Sequence, residues 1–123
     1  MILDTNALSA FVDGAPEVGA ILGLQHQAAI PVIVLGEFRY GIMGSRHRKT
    51  YEEWIEIHLR HFDLLAITAE TTLPYASLRA TLKRLGRPIP ANDAWIAALA
   101  MQHGLPILSR DEHFDALPDV RRI

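Results

Sequence analysis

Short apolar segments alternate with stretches of helical periodicity along these 123 residues, and that alternation predicts a single α/β domain: a three-layer α/β/α arrangement with a central parallel sheet of about four to five strands. Half of the residues are hydrophobic and the charged fraction is 21%, so the chain has the apolar content of a globular domain and enough length to bury a core without staples. Parallel strands need crossovers, and right-handed crossovers leave helices on both faces of the sheet.

Met1 to Leu3 is a short apolar strand. Asp4, Thr5 and Asn6 follow it, residue types that readily cap a helix, and Ala7 to Val12 is that helix. Gly14 and Pro16 punctuate, after which Val18, Ile21, Leu22 and Leu24 mark a second short helix. Ala28 to Leu35 carries two signals: its β-branched residues favour a strand, while Pro31 cannot donate to a central ladder and suits the first turn of a helix. The reading is a strand over 27–30 and a helix from about Pro31 to Met43 bearing Glu37. Tyr51, Trp54, Ile55, His58 and Phe62 follow helical spacing from Arg48 to Phe62. A buried strand is expected over 64–67, then a long helix from Thr68 to Leu85 ending at Gly86. Arg87-Pro88-Ile89-Pro90 is a stiff connector, and Asn92 to His103 a strongly apolar helix closed by Gly104. Leu105 to Ser109 is the next strand, Glu112 to Leu117 a helical turn and Val120 to Ile123 a last edge strand.

Composition narrows the setting. There are no cysteines, which removes disulfides and thiolate metal sites and is compatible with a reducing cytosol. The amino terminus lacks a basic n-region and places Asp4 where a signal peptide would be apolar, and the longest apolar runs are too short to span a bilayer. A cytoplasmic protein with no membrane partner is the expectation. The net charge of −2 looks wrong for a polyanion binder, yet two bound divalent ions would reverse its sign. Basic residues also gather at 46–49 and at Arg79, Lys83, Arg84 and Arg87. Either group could be an ordinary solvated helix face, so the charge pattern permits a nucleic-acid substrate without establishing one.

Four acidic motifs occur in a fixed order: Ile2-Leu3-Asp4-Thr5-Asn6, Leu35-Gly36-Glu37-Phe38, Asn92-Asp93-Ala94-Trp95-Ile96-Ala97 and Leu108-Ser109-Arg110-Asp111. Each acid lies in or beside apolar sequence, where an ionised carboxylate is costly unless something neutralises it. Magnesium, or manganese in its place, would do so, because both take oxygen ligands and serve phosphate-ester chemistry. In parallel sheets ligands bind at the carboxyl ends of the strands. Asp4 leaves the first strand, Asp111 follows the late strand, Asp93 starts a helix facing the same edge, and Glu37 must come from a crossover helix. The four would line one cleft.

Ordinary roles stand beside these. Asp4 could be only a cap, Glu37 a solvent-facing residue, Asp93 favourable first-turn charge and Asp111 a turn residue. His58 and His61 have helical metal spacing but no third ligand, and Trp54, Tyr75 and Trp95 fit packing better than base stacking. A phosphoacceptor receiver would need paired acids after the first strand, and a haloacid-dehalogenase-like phosphatase would need an acid where Asn6 stands.

As a set, the Asp-Thr-Asn start, the embedded glutamate, the Asn-Asp-x-x-Ile-Ala-Ala helix and the Ser-Arg-Asp-x-x-Phe turn resemble the PIN-domain family over essentially the whole chain, and within it the VapC-like ribonuclease toxins of toxin–antitoxin pairs. The first strand is short for the pattern, because the chain begins almost at it. The resemblance implies a metal-dependent endoribonuclease with Asp4, Glu37, Asp93 and Asp111 as its acidic cluster and Thr5, Asn6 and Ser109 at the flanking polar positions. In a two-metal scheme, with ions roughly 3.5–4 Å apart, Asp4 would bridge, Asp93 would bind beside it, Glu37 would bind metal or position water and Asp111 would complete the second site. Arg110 would touch substrate phosphate or be a surface residue. The resemblance further implies a small VapB-like antitoxin that blocks the cleft and carries the assembly to operator DNA. A homodimer is expected, with Trp54, Ile55, Phe62, Leu78 and Leu82 as candidate contacts. A PIN nuclease of housekeeping RNA processing and a silent PIN-like scaffold are the alternatives.

Overall fold

Four short strands, all parallel, run side by side in the order β3-β2-β1-β4 in the computed structural model, which describes residues 1–24 and 27–123. They are β1 (Ile2–Leu3), β2 (Ala29–Pro31), β3 (Asp63–Leu65) and β4 (Ile107–Leu108). The helices are α1 (Thr5–Val12), α2 (Pro16–Gly23), α3 (Val32–Ile42), α4 (Arg48–His58), α5 (Thr72–Leu85) and α6 (Ala91–His103), with short 3-10 turns at Leu59–His61 and Glu112–Ala116. The chain adds β2 and then β3 on one side of β1, and crosses back to place β4 on the other. Right-handed connections therefore put α1 to α4 on one face and α5 with α6 on the opposite face. The helix contacts agree: α5 packs on α6, and α1 packs on α2 and α3.

The first strand is two residues long and central. Ile2 and Leu3 are wholly buried, and Ile2 sits in register with Ala29 on one side and Ile107 on the other. Backbone bonds from Ala29 N to the Met1 carbonyl (2.8 Å) and from Asp4 N to the Leu108 carbonyl (3.0 Å) extend this ladder at both ends. Pro31 satisfies both of its signals, because it closes β2 opposite Leu65 and is at the same time the residue from which α3 starts. A proline there removes a donor only where the ladder is ending.

Alanines explain α6. Ala94, Ile96, Ala97, Ala98, Leu99 and Ala100 are all buried, so the helix is enclosed on most sides and small side chains let α5 and α3 approach it closely. Gly86 and Gly104 close α5 and α6 in the left-handed conformation (φ 64° and 63°), and the next amide in each case returns to the sixth-last carbonyl, Arg87 N to Leu82 O and Leu105 N to Ala100 O, both 3.0 Å. That bond needs a positive φ, which glycine supplies without strain.

Four expectations change. The strand expected to be buried over 64–67 is Asp63–Leu65 at the sheet edge, with Asp63 and Leu64 exposed and Leu65 half-buried, because an edge strand is covered on one side only. The long helix begins at Thr72 rather than Thr68, because Thr71 is fully buried and its Oγ accepts from Thr68 N (3.0 Å) while donating to Gln102 Oε1 (2.6 Å) on α6. The last strand reduces to a single parallel bridge between Ile107 and Arg122. The proposed dimer contacts are mostly core: Ile55, Leu78 and Leu82 are buried within the chain, and half-buried Trp54 and Phe62 pack edge-on against Phe11, with centroids 5.8 and 6.1 Å away. Helical period identifies a buried face but not what buries it. His58 and His61 stand 6.2 Å apart between ring centroids and join no acidic group among the described residues.

Thr71→Val keeps the shape but leaves the Thr68 amide and the Gln102 carbonyl oxygen without their partner. A loss of roughly 1–3 kcal/mol in denaturant unfolding is expected, and a variant as stable as the parent would contradict this account of where α5 starts.

Candidate active site

Strand order reverses between β1 and β4, and a crevice opens at their carboxyl ends because the flanking connections leave on opposite faces. The chain fills that crevice with carboxylates. Asp4 leaves β1 and is both the cap of α1 and the buried centre of the site, with only 4% of its surface exposed. Its Oδ1 accepts from Thr5 N (2.7 Å); its Oδ2 accepts from Ser109 Oγ (2.7 Å) and Asn6 Nδ2 (3.3 Å). Ser109, itself buried, follows β4, so this pair of side chains bolts the two central strands together just past their last ladder bond.

Neighbouring side chains continue the net. Asn6 Nδ2 also reaches Ser109 Oγ (3.3 Å), and its Oδ1 accepts from Arg110 N (3.0 Å), which fixes the path after β4. Ser109 Oγ accepts from Asp111 N (2.9 Å), and the Arg122 guanidinium donates to the Ser109 carbonyl (3.2 Å). Thr5 Oγ donates to Glu37 Oε1 (2.9 Å), so the first turn of α1 positions a carboxylate from α3. Asn6 and Ser109 thus bond the Asp4 carboxylate, and Thr5 bonds both Asp4 and Glu37. Glu37 and Thr5 share one opening with Tyr40 and Asn92, which brings the start of α6 to the same edge.

Asp93 lies in the first turn of α6, half-buried, and its acidity reports the company it keeps. Burial, followed by the charges of Asp4 and Asp111 and a smaller contribution from Glu37, pushes its carboxyl up to about 6, against a small opposing effect of His113. Asp4 is also raised, first by burial and then by Glu37 and Asp111, although the Ser109 and Thr5 bonds hold it back. Asp4 and Asp93 therefore both feel the charges of Glu37 and Asp111. Asp93, Asp111 and His113 each place a ligand atom within 4.8 Å of the others. His113 went unnoticed in the sequence. Its signal was its place two residues after Asp111, where a tight turn folds its Nε2 back to Asp111 Oδ1 (3.0 Å). Arg110 is exposed, and its guanidinium pairs with Glu17 (2.9 Å).

No arginine or lysine pairs with Asp4, Glu37, Asp93 or Asp111 among the described residues. Hydroxyls and amides orient these acids without neutralising them, which is the donor chemistry a hard divalent cation uses. A parallel α/β domain with such an edge matches the PIN domain model over residues 1–120, and the chain belongs to the PIN domain family. Its relatives include ribonuclease VapC4 of Mycobacterium tuberculosis, 31% identical over 105 residues that make up 80% of this chain and 77% of that protein. Among solved structures, VapBC-5 of Mycobacterium tuberculosis, a member of the VapBC family of toxin–antitoxin systems, aligns over 99% of this chain and 95% of that one with a TM-score of 0.78 and 28% identity. VapBC2 of Rickettsia felis, bound to a DNA fragment from its promoter, shares the fold at a TM-score of 0.90 over 99% and 96% of the two chains, with 24% identity.

The raised Asp93 carboxyl gives a signed prediction. The folded state holds that proton more tightly than the unfolded chain, so stability in metal-free buffer falls as pH rises from about 4 through about 6, and the cost is fully present above that window. Asp93→Asn should therefore raise the metal-free unfolding free energy near neutral pH, by roughly 1 kcal/mol after allowing for solvent screening of a half-exposed group. The gain should vanish at about pH 4. A variant no more stable than the parent near pH 7.5 would rule out this repulsion.

Proposed function

We propose that the chain is a divalent-metal-dependent endoribonuclease and the toxin of a toxin–antitoxin pair, acting in the cytoplasm to block translation and growth. The observation that carries this reading is the gathering of carboxylates at one sheet edge, where Ser109 and Asn6 hold Asp4, Thr5 holds Glu37 and Asp93 feels the charges of Asp4, Asp111 and Glu37, with no arginine or lysine spent on them among the described residues. The relatives named as ribonucleases and as toxin–antitoxin complexes support it.

Asp4, Asp93 and Asp111 would hold magnesium, or manganese in its place, with Glu37 completing the oxygen set. When bound, such an ion supplies neutralisation of phosphoryl charge and a low-pKa water for attack on the phosphodiester. The chain's own part is positioning. Ser109 and Asn6 fix the Asp4 oxygens, Thr5 turns Glu37 toward the water side and leaves its other oxygen free to orient the attacking water, and His113 orients Asp111 rather than joining the ligands. The proposed inhibitor is a small antitoxin whose tail lies in this crevice. An arginine from it can pair bidentately with Asp4 or Asp93, where the chain left the charge open. Toxin–antitoxin assembly would carry DNA binding through the antitoxin. A two-fold pairing of the toxin itself would draw on apolar side chains that stay exposed, Tyr40 on α3, Met43 at its end and Leu73 on α5, in place of the buried ones.

Purified protein incubated with total cellular RNA and magnesium should cleave it, and a chelator should stop cleavage reversibly. Asp4→Asn, which preserves the helix cap, should lose more than about a hundredfold in rate while remaining folded, and Ser109→Ala about ten- to a hundredfold. RNA cleavage by Asp4→Asn at the parental rate would overturn the mechanism. Strong induction of the gene alone should arrest growth, and co-expression of the neighbouring small gene should relieve it; harmless induction would remove the toxin role.

A further inference from the structure

An acidic crevice repels the polyanion it is meant to cut until cations arrive, so attraction has to come from its surroundings. Two cavities adjoin on the α5 side and share Pro88 and Ile89 as a common wall. The first, about 430 Å³, is lined by Arg79 and Lys83. The second, about 600 Å³, is lined by Arg87 on one side and by Asp111, Glu112, His113 and Asp115 on the other, with Asp115 neutralised by Arg122. We propose that Arg79, Lys83 and Arg87 form a phosphate-binding track that leads a single RNA strand along α5 and over the Pro88–Ile89 wall into the acidic crevice. The inference rests on the nuclease reading and adds to it the path of the substrate.

Three features make the track more than a charged helix face. None of the three cations has a carboxylate partner among the described residues, whereas in the rival basic stretch at 46–49 Arg48 is paired with Glu52 (3.0 Å). Residues 46–49 line neither of the two cavities. Arg79 is also fixed relative to the acids. The Arg79 guanidinium lies 5.6 Å from the centre of the Tyr75 ring, and Tyr75 is stacked at 3.7 Å on Trp95, two residues beyond Asp93 on α6. Arg87 stands between the left-handed Gly86 and the prolines at 88 and 90, in a connector that runs straight into α6. Arg79 and Lys83 follow at one-turn spacing, about 6 Å along the helix, so successive phosphates meet successive cations.

The test measures binding of a labelled, mixed-sequence single-stranded RNA of about twenty nucleotides to the whole protein in metal-free buffer across a salt series. Replacing Arg79, Lys83 and Arg87 together by glutamine should flatten the dependence of log affinity on log salt by about 2, the share of three lost phosphate contacts on a single strand. Replacing Arg46 and Lys49 by glutamine should leave the slope unchanged. In cleavage of total RNA with magnesium, the triple variant should show a raised KM with kcat retained. If the parent cleaves RNA and the triple variant keeps the parental slope and KM, the track is wrong and the nuclease reading stands. If the parent neither binds nor cleaves RNA, both fall.

Discussion

The carboxylate of Asp4 is the point on which the rest of the molecule depends. It sits where β1 becomes α1, buried, and its three hydrogen-bond donors come from α1 and from the residue after β4. Desolvating an ionised carboxylate costs several kcal/mol, and neutral donors recover part of that. The remainder shows as the upward push on its pKa. The Ser109 bond closes the carboxyl end of a sheet whose central strand is only two residues long, and the Thr5 and Asn6 bonds fix the turn from that strand into α1. Structural clamp and proposed metal ligand are one side chain here, so the cap that Asp4 makes does not argue against the proposed metal-binding role. A good cap needs a short acceptor held at the strand end, and a metal ligand needs the same thing.

Fold and site differed in how far the sequence revealed them. Elements with strong periodicity or punctuation were legible: α6 from its apolar run and Gly104, α5 from its leucines and Gly86, and β1 from three apolar residues before Asp-Thr-Asn. The start of α5 was not, because Thr71 acts through Gln102, thirty-one positions away, and a local pattern carries no trace of that partner. Leu78, Leu82 and Ile55 were offered as dimer contacts for a related reason. Spacing shows that residues share a face, but the ring of Phe11 and the alanine surface of α6 that accept such faces come from remote segments. At the site, Asp4, Glu37, Asp93 and Asp111 could be placed together because strand ends of a parallel sheet converge by rule. His113 could not, since its approach to Asp111 depends on a 3-10 turn rather than on an α-helical or extended spacing.

Choice of donors around the cluster explains why it stays open. An arginine in the place of Ser109 or Asn6 would neutralise Asp4 and stabilise the folded chain, but it would occupy the position that a cation needs. Serine, threonine and asparagine orient the acids and carry no charge, so the repulsion that raises Asp93 persists in the metal-free fold. Two guanidiniums near the crevice are held elsewhere: Arg110 on Glu17, and Arg122 bidentate on Asp115 (2.9 and 2.8 Å) while it braces the Ser109 carbonyl. Stability is given up to keep the charge uncompensated, and whatever brings positive charge to the crevice recovers it. A divalent ion does so in a way that permits chemistry; an arginine borne by a protein partner does so in a way that excludes the ion. The unspent charge that makes the site catalytic is therefore also the feature by which an inhibitor can recognise it.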